Sequence, residues 1–129
     1  MAANQLKTKS GILTGAGTAG QIDALDEVLT IDVEDLTNIV LWVTQVTDNG
    51  TVTLNVEISP DGITFGAHGS ALTDASFAAA AGAVAAPIVI EGTNGMPLAI
   101  KQVRIRASAY TGTGVYTLKA SGYQRPGYA

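Results

Sequence analysis

The residues that could do chemistry are few. Gly15-Ala16-Gly17-Thr18-Ala19-Gly20 has the Gly-x-Gly-x-x-Gly spacing of a dinucleotide-binding turn, with Glu34 and Asp35 following at a plausible distance. Such a turn needs a strand before it, a helix after it and a βαβ unit around it. Here the segment before it offers only Ile12-Leu13-Thr14, and the segment after it is acidic and β-branched. A flexible glycine arm fits the run better. His68 is the single histidine, in the loop Gly66-Ala67-His68-Gly69-Ser70. It is the one imidazole available as a base, and no Gly-x-Ser-x-Gly elbow supplies a nucleophile for it. One histidine and no cysteine exclude thiolate chemistry, disulfides and a histidine-based zinc site within one chain. Asp32, Glu34 and Asp35 offer oxygens to calcium but lack the EF-hand spacing, so an acidic turn into the next strand is expected. No carboxylate pair is singled out for glycoside hydrolysis. The sequence predicts no catalytic, cofactor or metal residue.

The elements that would carry any site read as strands. Glu27–Val33 is β-type. Leu36–Val46 has Ile39, Leu41 and Val43 on one face and Val40, Trp42 and Val46 on the other. That is the pattern of a central strand covered on both sides, with Trp42 in the core. Asn49-Gly50 reads as a hairpin turn into Thr51–Ser59. There Val52, Leu54, Val56 and Ile58 alternate with polar residues. Ser59-Pro60-Asp61-Gly62 is a second turn, followed by the short strand Ile63-Thr64-Phe65. Residues 66–86 read as a long loop with at most one helical turn. Ile88-Val89-Ile90 is a strand. Val103–Tyr110 alternates with Val103, Ile105, Ala107 and Ala109 inward. It is expected to form a closing hairpin with Val115–Tyr123. Arg104, Arg106 and Lys119 would then share one outward face, open to an acidic neighbour. The fold class predicted is all-β, an antiparallel β-sandwich or jelly-roll-like barrel. Residues 1–20 are expected as an extended N-terminal arm, 21–123 as the sandwich, and 124–129 as a short C-terminal tail.

The chain has 129 residues, 47% hydrophobic and only 14% charged, with mean hydropathy +0.27. An average globular domain carries about 25% charged residues. So little charge predicts apolar surface buried against other subunits. The net charge of −4 disfavours nucleic acid as a partner. Residues 1–65 hold two basic and nine acidic residues, a net of −7, and the remainder hold five and two, a net of +3. That asymmetry suits complementary contacts between copies. The first ten residues lack the apolar core of a secretory signal, and no apolar run is long enough for a membrane span.

At Ser59-x-Asp61-Gly62-x-x-Phe65 the sequence resembles a turn frequent in β-sandwich proteins of tailed-phage particles and in discoidin-type carbohydrate-binding sandwiches. The resemblance implies that the turn reverses the chain and that the aromatic plugs the sandwich. The wider layout, roughly residues 27–123, is similar to small phage capsid decoration (cement) proteins. It rests on the strand with Trp42, the Ser59–Phe65 turn and the late Val103–Arg106 and Thr113–Leu118 segments. The resemblance implies a structural virion protein without enzymatic activity. Such a protein is made in the host cytoplasm and located on the capsid surface as a homotrimer, where it bridges subunits of the major capsid protein. Its arms would order on a partner, with Ile12 and Leu13 as anchors in the first and Tyr128 in the second; Arg104 and Arg106 would add polar contacts. The alternative is a glycan-binding or tail or head-fibre adsorption module. That reading needs exposed aromatics and amides, for which Tyr110, Tyr123, Tyr128 and Asn94 are available.

Overall fold

A computed structural model describes residues 6–10, 12–13, 20–47, 50–77, 82–92 and 99–124. Eleven strands, all paired antiparallel, form two sheets: β1 (Leu6–Ser10), β2 (Ile12–Leu13), β3 (Val28–Asp32), β4 (Leu36–Thr47), β5 (Gly50–Ser59), β6 (Gly66–Ala67), β7 (Leu72–Thr73), β8 (Ala83–Val84), β9 (Ile88–Ile90), β10 (Gln102–Gly112) and β11 (Val115–Gln124). One sheet runs β1-β11-β4, with β8 and β9 both pairing the far side of β4. The other runs β2-β3-β10-β5, with β6 and β7 both pairing β5. Among the described residues no helix is long and apolar enough to cross a membrane. Among the described residues the one helical element is a 3-10 turn, Asp74–Phe77.

The pairings are nested. β1 pairs with β11, β3 with β10, β4 with β9, and β5 with β6. This is a jelly roll: the chain behaves as one long hairpin whose tip lies between β5 and β6, rolled so that successive nested pairs alternate between sheets. The tip is the Ser59–Gly66 turn, and its chemistry explains the Ser-x-Asp-Gly signature. Ser59 Oγ accepts from the Asp61 and Gly62 amides, and Asp61 Oδ1 accepts from the Ile63 and Thr64 amides at 2.8 Å each. Gly62 has φ 80°, which costs glycine nothing. Four amides that would otherwise lack partners are thereby satisfied by two side chains.

Two expected hairpins are not hairpins. β4 and β5 are consecutive but lie in different sheets, and so do β10 and β11. The link between β10 and β11, Thr113-Gly114, is an arch from one sheet to the other. Turn residues such as glycine permit a reversal without specifying whether the strands on either side bond to each other. Lys119, on β11, therefore lies in the opposite sheet from Arg104 and Arg106. Within the first residues, two short segments pair inside this chain. β1 bonds to this chain's own β11, with Leu6 opposite Tyr123 and Ser10 opposite Lys119, while β2 bonds to β3.

The core lies between the sheets. Leu36, Ile39, Leu41 and Val43 of β4 meet Val52, Leu54 and Val56 of β5, Val103, Ile105 and Ala107 of β10, and Leu118 of β11. Its large aromatics are Phe77 and Tyr116, with ring centroids 5.3 Å apart. Phe77 comes from the segment read as a loop. Trp42 is not in the core: it is 39% exposed on the outer face of its sheet, as is Val46. β4 is central in its sheet, but the described residues cover only one of its faces. Phe65 does not plug the sandwich either; it lies half-buried on the outer face of the other sheet. The inward alternation of β10 stops at Ala107. The register against β5 slips between Ala107 and Ala109, so Ala109 is exposed and Tyr110 packs against the core. A single bulge inverts which residues face inward.

Candidate functional site

The outer face of the β4 sheet is the candidate site. On β4, residues alternate between core and surface, which puts Asn38, Val40, Trp42, Thr44 and Val46 outward. Register extends the face sideways. Val40 is opposite Val89 on β9, Thr44 opposite Val84 on β8, and Trp42 and Val40 opposite Lys119 and Ser121 on β11. Val84, Val89 and Tyr123 are each more than half exposed. The result is an apolar stripe across strands from both ends of the chain. Its indole is held in place, because Trp42 Nε1 donates to Ser121 Oγ at 2.9 Å. An ordered aromatic offers contact area at small entropic cost.

A cavity of about 310 Å³ opens at one end of the stripe, lined by Asn38, Val40, Val89, Glu91, Ser121 and Tyr123. A bulge makes it. β11 passes from Gly122 to Gln124 while β4 passes from Ile39 to Leu36, so β4 uses one residue more. The bulge re-aims Asn38, whose Oδ1 accepts from the Gly92 amide at 3.2 Å. The site thus combines two aromatic rings, a carboxamide, a carboxylate and a hydroxyl on a rigid strand platform. It has no nucleophile–base pair, and among the described residues no three Asp, Glu, His or Cys side chains cluster as a metal site.

The outer face of the β5 sheet is different. Arg104 Nε donates to Glu57 Oε1 at 2.6 Å, and Arg106 Nε lies 3.5 Å from Glu57 Oε2. The Arg104 guanidinium also sits 3.8 Å above the Phe65 ring. The basic second half and the acidic first half of the sequence meet here within one chain. Arg104, Thr30 and Ile12 lie in one row across β10, β3 and β2, and Leu13 is opposite Leu29. Tyr128 and Asn94 lie outside the described residues, as does the glycine run except Gly20. Tyr110 is drawn inward, and its hydroxyl donates to the Gly114 carbonyl. His68 is half-buried, and its amide bonds to the Val56 carbonyl, a structural role. Asp32 Oδ1 accepts from the Glu34 amide in the turn between β3 and β4.

The residues that matter at the site were visible in the sequence, but as something else. The doubly apolar pattern of β4 was the signal. Two-sided burial and one exposed apolar face give the same pattern, and only the partner surface distinguishes them. Asn38 carried no signal, since its placement depends on the bulge.

No protein-family model matches the chain, and no curated protein matches it. Among solved structures, the catalytic domain of a GH87 alpha-1,3-glucanase in complex with nigerose is similar at a TM-score of 0.41 and 13% identity. The likeness covers 99% of this chain and 30% of that one, so this chain spans less than a third of its length. A likeness of that size carries no argument about activity.

Proposed function

We propose that the protein is a non-catalytic structural component of a virus particle, decorating the capsid surface and bridging major capsid subunits, with the outer face of the β4 sheet as its docking surface. One observation carries the reading: Val40, Trp42, Val46, Val84, Val89 and Tyr123 form a continuous outward apolar stripe in a chain with only 14% charged residues. Weak contacts from such a face gain strength by repetition over a symmetric shell. Assembly as a trimer fits the low charge and is read directly by sedimentation velocity.

The test is co-sedimentation with assembled capsid shells that lack the protein. Val89→Asp places a charge in the stripe at a side chain 56% exposed, so folding should be retained. Wild type should pellet with the shells, and Val89→Asp should remain in the supernatant with an unchanged melting temperature. Wild type in the supernatant, or the variant in the pellet, would overturn the assignment of this face.

A second reading rests on the cavity. Tyr123 lines a pocket together with Asn38, Glu91 and Ser121, and sugar rings bind through stacking plus a few amide and carboxylate hydrogen bonds. Saturable binding of an oligosaccharide that Tyr123→Ala abolishes, without capsid binding, would favour a carbohydrate-binding module.

A further inference from the structure

The turn between Ile22 and Val28 ties the two sheets together. Ile22 exchanges both backbone hydrogen bonds with Tyr116 of β11, at 2.9 and 3.0 Å. Four and five residues later, the Asp26 amide donates to the Ala107 carbonyl of β10, and the Ala107 amide donates to the Glu27 carbonyl. The turn is tight enough that Asp26 adopts φ 66°, a conformation few non-glycine residues take. It folds back so that the Asp23 amide donates to Glu27 Oε1 at 2.9 Å.

Glu27 is the unusual residue. It is only 3% exposed, and its second oxygen, Oε2, is buried with no hydrogen-bond partner. The ionisable groups that face it are Asp23, from its own turn, and Tyr110, from β10. Neither brings a positive charge, and among the described residues no lysine or arginine pairs with Glu27. Burial, and then the Asp23 carboxyl, push the Glu27 carboxyl above the usual range. A buried carboxylate oxygen without a partner, beside a second carboxylate, is costly unless something positive occupies the space. The donors are all oxygen, with no nitrogen or sulfur, which selects a hard cation.

We propose that Asp23 and Glu27 form a binding site for a divalent hard cation of the calcium type, at the point where this turn joins β10. Calcium takes six to eight oxygens and two carboxylates supply few of them, so its remaining ligands are mostly water. Affinity then falls at the weak end of protein calcium sites, a Kd of about 10⁻⁴–10⁻³ M. The bound ion would lock the turn that bridges both sheets, so its readout is stability.

The experiment is thermal unfolding of the full chain at pH 7.5, in EDTA and in 5 mM calcium chloride, at matched ionic strength. Calcium should raise the melting temperature by about 3–8 °C, from mass action on a site of this affinity in a domain of this size. Glu27→Gln keeps the side-chain size and the acceptor for the Asp23 amide, and it should abolish the calcium shift. If that variant does not fold, Asp23→Asn, which retains the backbone amide, must abolish the shift instead. A calcium shift that survives in the folded variant would overturn the site. So would the absence of a calcium shift in wild type; stability in EDTA that rises from pH 7.5 to 5.5 would then show that a shared proton fills the space.

Discussion

Gly122→Ala tests the bulge on which the candidate site depends. Gly122 lies on β11 opposite Ile39, where β4 has its extra residue. A Cβ at this position would sit 2.1 Å from the Asn38 backbone oxygen and 3.3 Å from Ile39 Cγ2. The nearer atom is main chain, so no rotamer change relieves the overlap. β4 and β11 must separate locally by about 1 Å, more than a ladder hydrogen bond near 2.9 Å tolerates. Overpacking costs about 1–3 kcal/mol, and weakening two ladder bonds adds about 1 kcal/mol each. Relief of one partly relieves the other, so the expected loss is about 2–4 kcal/mol. Urea unfolding reads this as a midpoint lower by about 1–2 M at the slope usual for small domains. Gly66→Ala is the matched control. Gly66 also lies in a strand, but nothing stands within 4 Å of its Cβ position, so its midpoint should change by no more than about 0.5 kcal/mol allows. Equal midpoints for the two variants would refute the register of β4 against β11, and with it the placement of Asn38.

Phe77→Ala removes a ring that is 1% exposed and packed on Tyr116, and should cost about 3–5 kcal/mol by chemical denaturation. Ile63→Ala, at a side chain 84% exposed, should stay within about 0.5 kcal/mol. Tyr116→Phe deletes the hydroxyl that donates to Gln45 Oε1 at 3.1 Å in the interior, and should cost about 1–3 kcal/mol. Amides from Thr64 and Ile63 hold the Asp61 carboxyl below the usual aspartate range. A depressed carboxyl contributes stability above its unfolded pKa and loses it as pH falls through the folded one. The midpoint advantage of wild type over Asp61→Asn should therefore be full at pH 7 and shrink below about pH 4.

Much of the fold was legible because its strands obey period two. The Val52, Leu54, Val56 series and the Val103, Ile105, Ala107 series both face the core. The Ser59–Gly62 turn was legible because its hydrogen bonds are local, within five residues of Ser59. What failed was every inference that needed a partner distant in sequence. Asn49-Gly50 looked like a hairpin turn, yet β4 finds β11 and β5 finds β10. In a jelly roll the pairs nest over long separations, so local turn chemistry marks where the chain reverses and not what it bonds to. Bulges have the same character. One extra residue opposite β11 re-aims Asn38, and another slip, at Ala107, turns Tyr110 toward the core. Neither changes the composition of the strand that carries it.

The two outer faces divide the surface by what they leave unused. On the β5 sheet the charges are answered within the chain: Glu57 takes both Arg104 and Arg106, and Phe65 lies under the first of them. Such a face gains little from a partner, because docking would strip water from an ion pair already formed. On the β4 sheet the exposed groups are mostly hydrocarbon. Val40, Val84 and Val89 need no partner to satisfy them, and Trp42 has its N–H engaged by Ser121. Covering these groups removes apolar area from water, and among the described residues the exposed charges of the face, Lys119 and Glu91, are not held in an ion pair that docking would have to break. At about 25 cal/mol per Å², each fully covered valine contributes about 1.5 kcal/mol or more. This asymmetry is why the docking surface is assigned to the β4 sheet and not to the arginine row on the other side. It also predicts the form of the binding data. A contact made by the apolar stripe should weaken little between 50 and 500 mM salt, whereas one made by Arg104 and Arg106 should fall steeply. Capsid co-sedimentation across that range separates the two, and a steep loss with salt would move the interface to the β5 sheet.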